Sequence, residues 1–208
     1  MVRTILSILT VAAIISGCSV LPTSEPHEIY HIQHKAESLT NATSSQAHPV
    51  RDVSVRVATP YSSRLLSNNR ILIQPGNGAN IQAYPGVRWA DTTPVMLRDY
   101  IVDSLRTTGY FKSVAQEGAR VIAELRLESD LNSFEVRRTN NQVIAYVQLD
   151  VSLVSLNGLN VIATNRLQAS APADSTDVDD VVQAFHAAVA ELSQQLNEWL
   201  YASTGQVG

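Results

Sequence analysis

Residues 142–156, QVIAYVQLDVSLVSL, place an apolar side chain at every second position. The apolar positions on one side are Val143, Ala145, Val147, Leu149, Val151 and Leu153. Successive side chains of a β-strand point to opposite faces, so this alternation predicts one long strand that buries a single face. Such a strand needs a second layer of structure to cover its apolar side.

The segments on either side of this strand predict that it belongs to a meander. Residues 121–128 alternate in the same way, residues 131–138 follow them, and Thr139-Asn140-Asn141 is a plausible turn. After the long strand, Asn157-Gly158 favours a tight hairpin, and residues 161–169 return. Four consecutive strands joined by short turns predict antiparallel pairing.

Two helices are predicted to supply the covering layer. In the first, Thr93 is a candidate cap, Pro94 suits the first turn, and Gly109 suits the left-handed end. In the second, Thr176 and Asp179 have the spacing of a capping box. Its apolar stripe runs through Val178, Val182, Phe185, Val189, Leu192, Leu196 and Trp199. The stripe fits a coiled-coil seam or packing on a sheet, and we favour the sheet.

Shorter strands are predicted at residues 28–32, 51–57 and 70–74. The fold class is therefore α+β, with a mainly antiparallel sheet and two helices packed on one face. The length suits a single domain at residues 28–203, followed by a tail at 204–208.

The chain opens MVRTILSILTVAAIISGCS, with Arg3, a short apolar run and small residues in the order of an export signal. The apolar run is about half the length of a bilayer span. Ile15-Ser16-Gly17-Cys18 resembles a lipobox, so residues 1–17 are predicted to be removed and Cys18 to carry lipid. An ordinary cysteine after a signal is the alternative. Residues 18–27 form the lipidated start and a polar tether.

Composition excludes several functions. Cys18 is the only cysteine, so no disulfide can form within the chain. The formal net charge is −4 and no run of Lys or Arg occurs, which disfavours nucleic acid as a partner. The sequence contains no nucleophile elbow, phosphate-binding loop, dinucleotide turn or HExxH motif, so we predict no catalytic residues and no cofactor. A lipid-tethered hydrolase is accordingly disfavoured.

Three sites still have two explanations each. His27, His31 and His34 would share one face if their segment were helical, but it resembles a strand, so metal binding is disfavoured. His186 is better explained as a structural histidine than as a catalytic one. The acidic residues between 174 and 180 could bind calcium, although helix capping explains them, and we predict no metal site.

The pair Arg88-Trp89 precedes the first helix and is the best candidate for binding a partner. Trp and Arg are the residues most enriched at interface hot spots. The alternative is that Trp89 closes the core, and the sequence leaves both explanations open.

In order and spacing, several short motifs resemble those of the ABC-type transport auxiliary lipoproteins, the family that includes the paraquat-inducible C lipoprotein. After the lipobox, they are Tyr30-His31-Ile32, Asn69-Arg70-Ile71-Leu72-Ile73, Arg88-Trp89-Ala90-Asp91, Gly109-Tyr110-Phe111, Ala171-Pro172-Ala173, and Ala184-Phe185 through Trp199. The Arg-Trp-Ala-acidic tetrad is the most specific of them.

The resemblance implies a fold like the N-terminal domain of the periplasmic protein TolB. It also implies a non-catalytic role beside an ABC transporter with a mammalian-cell-entry (MCE) substrate-binding subunit, in lipid or organic-solvent traffic. The expected partners are that subunit and the transporter, and self-association is left open. Because Ser19 rather than Asp follows Cys18, we expect outer-membrane anchoring on the periplasmic face. The alternative is a structural lipoprotein of outer-membrane assembly.

Overall fold

The computed structural model describes residues 27–34, 48–76, 78, 80–139 and 142–205. Ten strands and two helices lie in these ranges. In chain order they are β1 Glu28–Tyr30, β2 Arg51–Val57, β3 Tyr61–Ser62, β4 Leu72–Pro75, β5 Gln82–Ala83, β6 Val87–Trp89, α1 Thr93–Thr108, β7 Phe111–Gln116, β8 Leu125–Thr139, β9 Gln142–Ser155, β10 Asn160–Ala173 and α2 Val178–Thr204. The predicted α+β class is confirmed.

Strands β8, β9 and β10 form the antiparallel hairpins that the sequence predicts. The prediction of two strands at 121–128 and 131–138 is wrong, because one 15-residue strand, β8, starts at Leu125 and runs to Thr139. Its pairing with β9 shifts between Leu131 and Ser133. One extra residue there reverses the alternation, so Leu131 and Phe134 both face the core.

The longest pairings of the sheet are antiparallel, as predicted, but the sheet is mixed because shorter parallel pairings join it. The edge of β8 opposite β9 pairs in parallel with β2, β3 and β4 in succession. Strand β7 extends the sheet beyond β2, again in parallel. A parallel pair needs a crossover connection, and the chain from β2 to β7 contains α1. Strands β1 and β6 form a separate parallel pair.

Both helices contribute to one core, as predicted. The inward side chains of β9 are buried from Ala145 to Leu153 at alternate positions. The stripe of α2 packs over β9 and β10, and α1 contacts β7 and α2. The central residues of the α2 stripe, Phe185, Val189 and Leu192, are at most 1% exposed. The stripe therefore packs on this chain's own sheet and does not form a coiled coil.

The helix ends differ partly from the prediction. Helix α1 ends at Gly109 with φ of 65°, the left-handed conformation that glycine adopts without strain. The prediction that Thr93 caps the start of α1 is wrong, because Thr92 is the N-cap residue. The Thr93 hydroxyl donates to the Leu66 carbonyl. The capping box predicted for α2 is wrong, because Asp177 is the N-cap and makes no side-chain capping bond.

Neither helix of the described ranges combines the length and apolarity that crossing a membrane requires. Cys18 and the predicted signal peptide lie outside the described residues.

Candidate functional site

The candidate pair Arg88-Trp89 lies in β6, where consecutive side chains point in opposite directions. Trp89 is only 1% exposed. Its ring meets those of Phe134 and Phe185 edge-on, with centroids 5.9 and 5.3 Å away, and these two phenylalanine rings stack at 4.8 Å. Trp89 therefore closes the core, and the expectation that its side chain anchors a partner is corrected.

Arg88 lies on the surface side of the same strand. Its Nη2 donates to His27 Nε2 at 2.5 Å. In the β1–β6 pair, Arg88 is aligned with Ile29, which is 72% exposed. Arg88 thus remains the member of the predicted pair that a partner could contact, and its binding role stays a prediction.

Strand β1 is held against the start of α2. The Tyr30 hydroxyl donates to Asp179 Oδ1 at 2.8 Å and lies 3.2 Å from Glu28 Oε2. The hydrogen bond to Asp179, with burial and Glu28, raises the pKa of Tyr30 to about 12. We call β1 and the first turn of α2 the tether end, because the described chain begins here, at His27, directly after the predicted tether.

The other sequence candidates have structural contacts. The His34 ring packs edge-on against Tyr100 at 5.2 Å, and His186 is half-buried on α2. The Ser175 hydroxyl donates to Asp180 Oδ2 at 2.6 Å. No three His, Cys, Asp or Glu side chains of the described ranges are grouped as metal ligands.

The sheet face away from the helices carries polar pairs that bind one another. Arg166 makes two 2.7 Å hydrogen bonds to the Asp150 carboxylate on the neighbouring strand, which holds the pKa of Asp150 below its ordinary value. Beside this pair, Gln168 Nε2 donates to Gln148 Oε1 at 3.1 Å. The charges of Arg166 and Asp150 are therefore paired within the sheet, and the two glutamine side chains are hydrogen-bonded to each other.

One buried carboxyl on this face was missed by the sequence analysis. Glu135 is 7% exposed, accepts the Phe134 backbone N–H at 2.9 Å and pairs with Arg137 at 3.0 Å. The Arg137 guanidinium in turn lies 3.4 Å over the Tyr146 ring. Burial raises the pKa of Glu135, against the opposing effect of Arg137. The bulge in β8 would have been the signal that Glu135 is buried, but the alternation of apolar and polar residues does not reveal a bulge.

The free edge of β10 is protected against an added strand. Gln195 of α2 donates to the Gln168 carbonyl at 3.2 Å, and the Asn165 side chain accepts the Arg166 backbone N–H at 2.9 Å. Pro172 has no N–H to donate. Because these backbone groups are already bonded or absent, a strand of another protein cannot readily pair with the β10 edge.

A groove of about 290 Å³ lies where β8, β9 and β10 approach the start of α2. Among its described lining residues, Arg138 is the one cation and Asp174 the one carboxylate. The remaining lining side chains are uncharged, among them Gln142 and Val143. The groove offers hydrogen bonds and one charge of each sign, which is too little to define a reaction.

Exposed apolar side chains gather at the opposite end of the sheet. Ile122 is 94% exposed and Leu159 82%, with Val121 and Val161 beside them in sequence. The two segments are neighbours, because the Leu156 backbone N–H donates to the Glu124 carbonyl at 2.9 Å. We call Val121, Ile122, Leu159 and Val161 the apolar end.

The described structure is thus an α+β domain. The family model "ABC-type transport auxiliary lipoprotein component" matches residues 30–197. The chain belongs to this family, as the sequence motifs predict.

Solved structures agree on the fold. A crystal structure of a Xanthomonas campestris protein carrying the family label DUF330 is 26% identical, with a TM-score of 0.74, and the match covers 86% of this chain and 97% of that one. A second, described as an uncharacterized protein, is 12% identical, with a TM-score of 0.63 and coverage of 85% and 99%. No protein of curated function matches the chain significantly. The likeness to TolB stays a prediction.

Replacing Trp89 tests its place in the core. Truncating a large buried aromatic side chain costs about 3–5 kcal/mol, so Trp89→Ala should lower the melting temperature strongly. Arg88→Ala is the matched control, since the neighbouring side chain is exposed and its removal should leave the melting temperature nearly unchanged. Thermal unfolding by circular dichroism compares the two variants. A Trp89→Ala protein that melts like the wild type would contradict the core assignment.

The Tyr30–Asp179 bond predicts a loss of stability at high pH. The pKa of Tyr30 is raised to about 12 in the folded chain, so its contribution is complete below the ordinary value of about 10 and is lost as pH rises toward 12. Because the site is largely open to solvent, the contribution should be below about 1 kcal/mol. Denaturant unfolding at about pH 8 and about pH 11 should show a smaller pH-dependent loss in Tyr30→Phe than in the wild type.

Asp179→Asn is the companion variant. This variant retains Tyr30 but removes the carboxylate that raises its pKa, so phenolate absorbance should show Tyr30 losing its proton at a lower pH than in the wild type. Equal pH-dependent losses in wild type and Tyr30→Phe would show that this bond does not link β1 to α2 in solution.

Proposed function

We propose that this protein is the lipid-anchored, non-catalytic accessory component of an MCE-associated ABC transport system in the bacterial envelope, serving lipids or organic solvents. The observation that carries the proposal is the family match over residues 30–197. Within the proposal the domain contributes by binding the transporter's substrate-binding subunit.

The anchor is Cys18, lipidated after removal of residues 1–17. Each methylene of an acyl chain adds about 0.8 kcal/mol of membrane affinity, so several chains on one residue hold a domain almost permanently. The eight residues between Cys18 and His27 would span at most about 25–30 Å. This length keeps the tether end close to the membrane, on the periplasmic face of the outer membrane in our proposal.

A binding role fits the use of the polar side chains. Arg166 and Asp150 satisfy each other, Arg137 is shared by Glu135 and the Tyr146 ring, and Tyr30 is bound to Asp179. These groups stabilise the fold and its surface. Several apolar side chains are exposed as well, four of them at the far end of the sheet, and such side chains suit contact with another protein.

Lipidation is tested at the cysteine itself. Cys18→Ser removes the thiol to which the diacylglycerol is attached, so metabolic labelling with a fatty acid should disappear and the product should be unprocessed or soluble. Ser19→Asp is the matched variant, which keeps the lipid and changes only the sorting residue. In an enteric host we expect wild type in the outer-membrane fraction and Ser19→Asp in the inner-membrane fraction.

A Cys18→Ser chain that is cleaved at the same site and retained normally would contradict the anchor. Wild type sedimenting with the inner membrane would contradict only the proposed location.

The partner is tested by isolating the tagged full-length chain from membranes after crosslinking. We expect recovery of an MCE-type subunit and an ABC transporter ATPase, and much less recovery with Cys18→Ser, since that chain is displaced from the membrane. Recovery of outer-membrane assembly proteins instead would replace the transport proposal with the structural alternative.

A further inference from the structure

We propose that the apolar end, formed by Val121, Ile122, Leu159 and Val161, is the surface that docks an apolar segment of the transporter's periplasmic subunit. This inference rests on the proposed function and adds the contact surface to it. Arg88, at the tether end, is not part of this surface.

Exposure is the first argument. Ile122 is 94% exposed and Leu159 82%, and Val161 and Val121 add 59% and 49%. The backbone bond from Leu156 to Glu124 brings the two segments to one end of the sheet. Single exposed apolar residues are common on soluble proteins, but a group contributed by two segments at one end is typical of an interaction site.

The backbone of Leu159 is the second argument. Its φ is 50°, and it is the one described residue other than glycine with a positive φ. Glycine or asparagine adopts this conformation at lower cost than a residue with a large apolar side chain. The hairpin therefore holds a leucine in a backbone conformation that suits glycine or asparagine better, with 82% of the residue exposed to solvent, and such a residue suits a binding contact.

The position of the proposed lipid anchor on Cys18 favours a protein, rather than a membrane, as the partner that contacts the apolar end. Strand β9 has 14 residues and spans about 45 Å, from near the tether end to near the apolar end. The tether of about 25–30 Å is attached at the opposite end. When the domain stands on its anchor, the apolar end is the part farthest from the lipid, where the subunit of a transporter in the other membrane would approach.

The charged side chains around the apolar end are few. Arg56 donates to the Val121 carbonyl, and Arg126 pairs with Glu117 at 3.0 Å. Glu124 accepts the Ser54 backbone N–H at 2.7 Å, which lowers the pKa of its carboxyl. Arg120, beside Val121, is exposed. These three arginines, of which Arg126 is paired with a carboxylate, are fewer than the roughly 4–8 basic residues that recruit anionic lipid.

The test compares two double variants of the full-length lipidated chain. Ile122→Ser with Leu159→Asn removes two exposed apolar side chains, and asparagine suits the positive φ, so the melting temperature should be unchanged or higher. Tyr61→Ser with Ile81→Ser is the control, because Tyr61 is 76% and Ile81 44% exposed away from the apolar end. Both proteins are assayed in detergent for binding to the purified periplasmic domain of the MCE-type subunit that the crosslinking experiment recovers.

We expect the apolar-end variant to bind about tenfold or more weakly and the control to bind like wild type. Equal binding by wild type and the apolar-end variant would overturn this inference and leave the proposed function standing. No binding even by wild type would overturn both.

Two further measurements identify other occupants. Binding of the Cys18→Ser chain to phosphatidylglycerol–phosphatidylethanolamine vesicles, lost only in the apolar-end variant, would assign this surface to a membrane and overturn the proposal. A change in oligomeric state by analytical ultracentrifugation, seen only in that variant, would assign it to a second copy of the chain and overturn it as well.

Discussion

The hydrogen bonding of β8 along both of its edges is the constraint on which the rest of the structure depends. One edge pairs with β9 over the whole strand, and the other receives β2, β3 and β4 in succession. Segments far apart in sequence are thereby aligned on one strand. Its bulge between Leu131 and Ser133 keeps the apolar side chains on the helix side over all 15 residues.

The core couples the smaller elements to this strand. Phe134 of β8 stacks on Phe185 of α2, and Trp89 of β6 meets both rings edge-on. Aromatic pairs of this geometry contribute beyond the area they bury. Because β6 pairs with β1, the aromatic contact also fixes β1, and the Tyr30–Asp179 bond holds β1 from the outside.

The domain therefore has two different ends joined by a rigid sheet. At one end the chain enters beside the start of α2, and at the other end Ile122 and Leu159 lie in solvent. The face between them is covered by matched polar pairs such as Arg166 and Asp150, and the β10 edge is blocked by Gln195. The end at which the described chain begins is thus separated from the end with exposed apolar side chains by roughly the length of β9.

The sequence by itself determined the elements that follow from local periodicity: the alternation of residues 142–156, the stripe of α2 and the glycine end of α1 at Gly109. It also determined the family, because its motifs keep their order. Only the tertiary structure decided the pairing directions, since alternation is the same in parallel and antiparallel strands. It likewise placed Trp89 in the core and left Ile122 exposed, because an apolar residue next to a strand or helix gives no local signal of what will cover it.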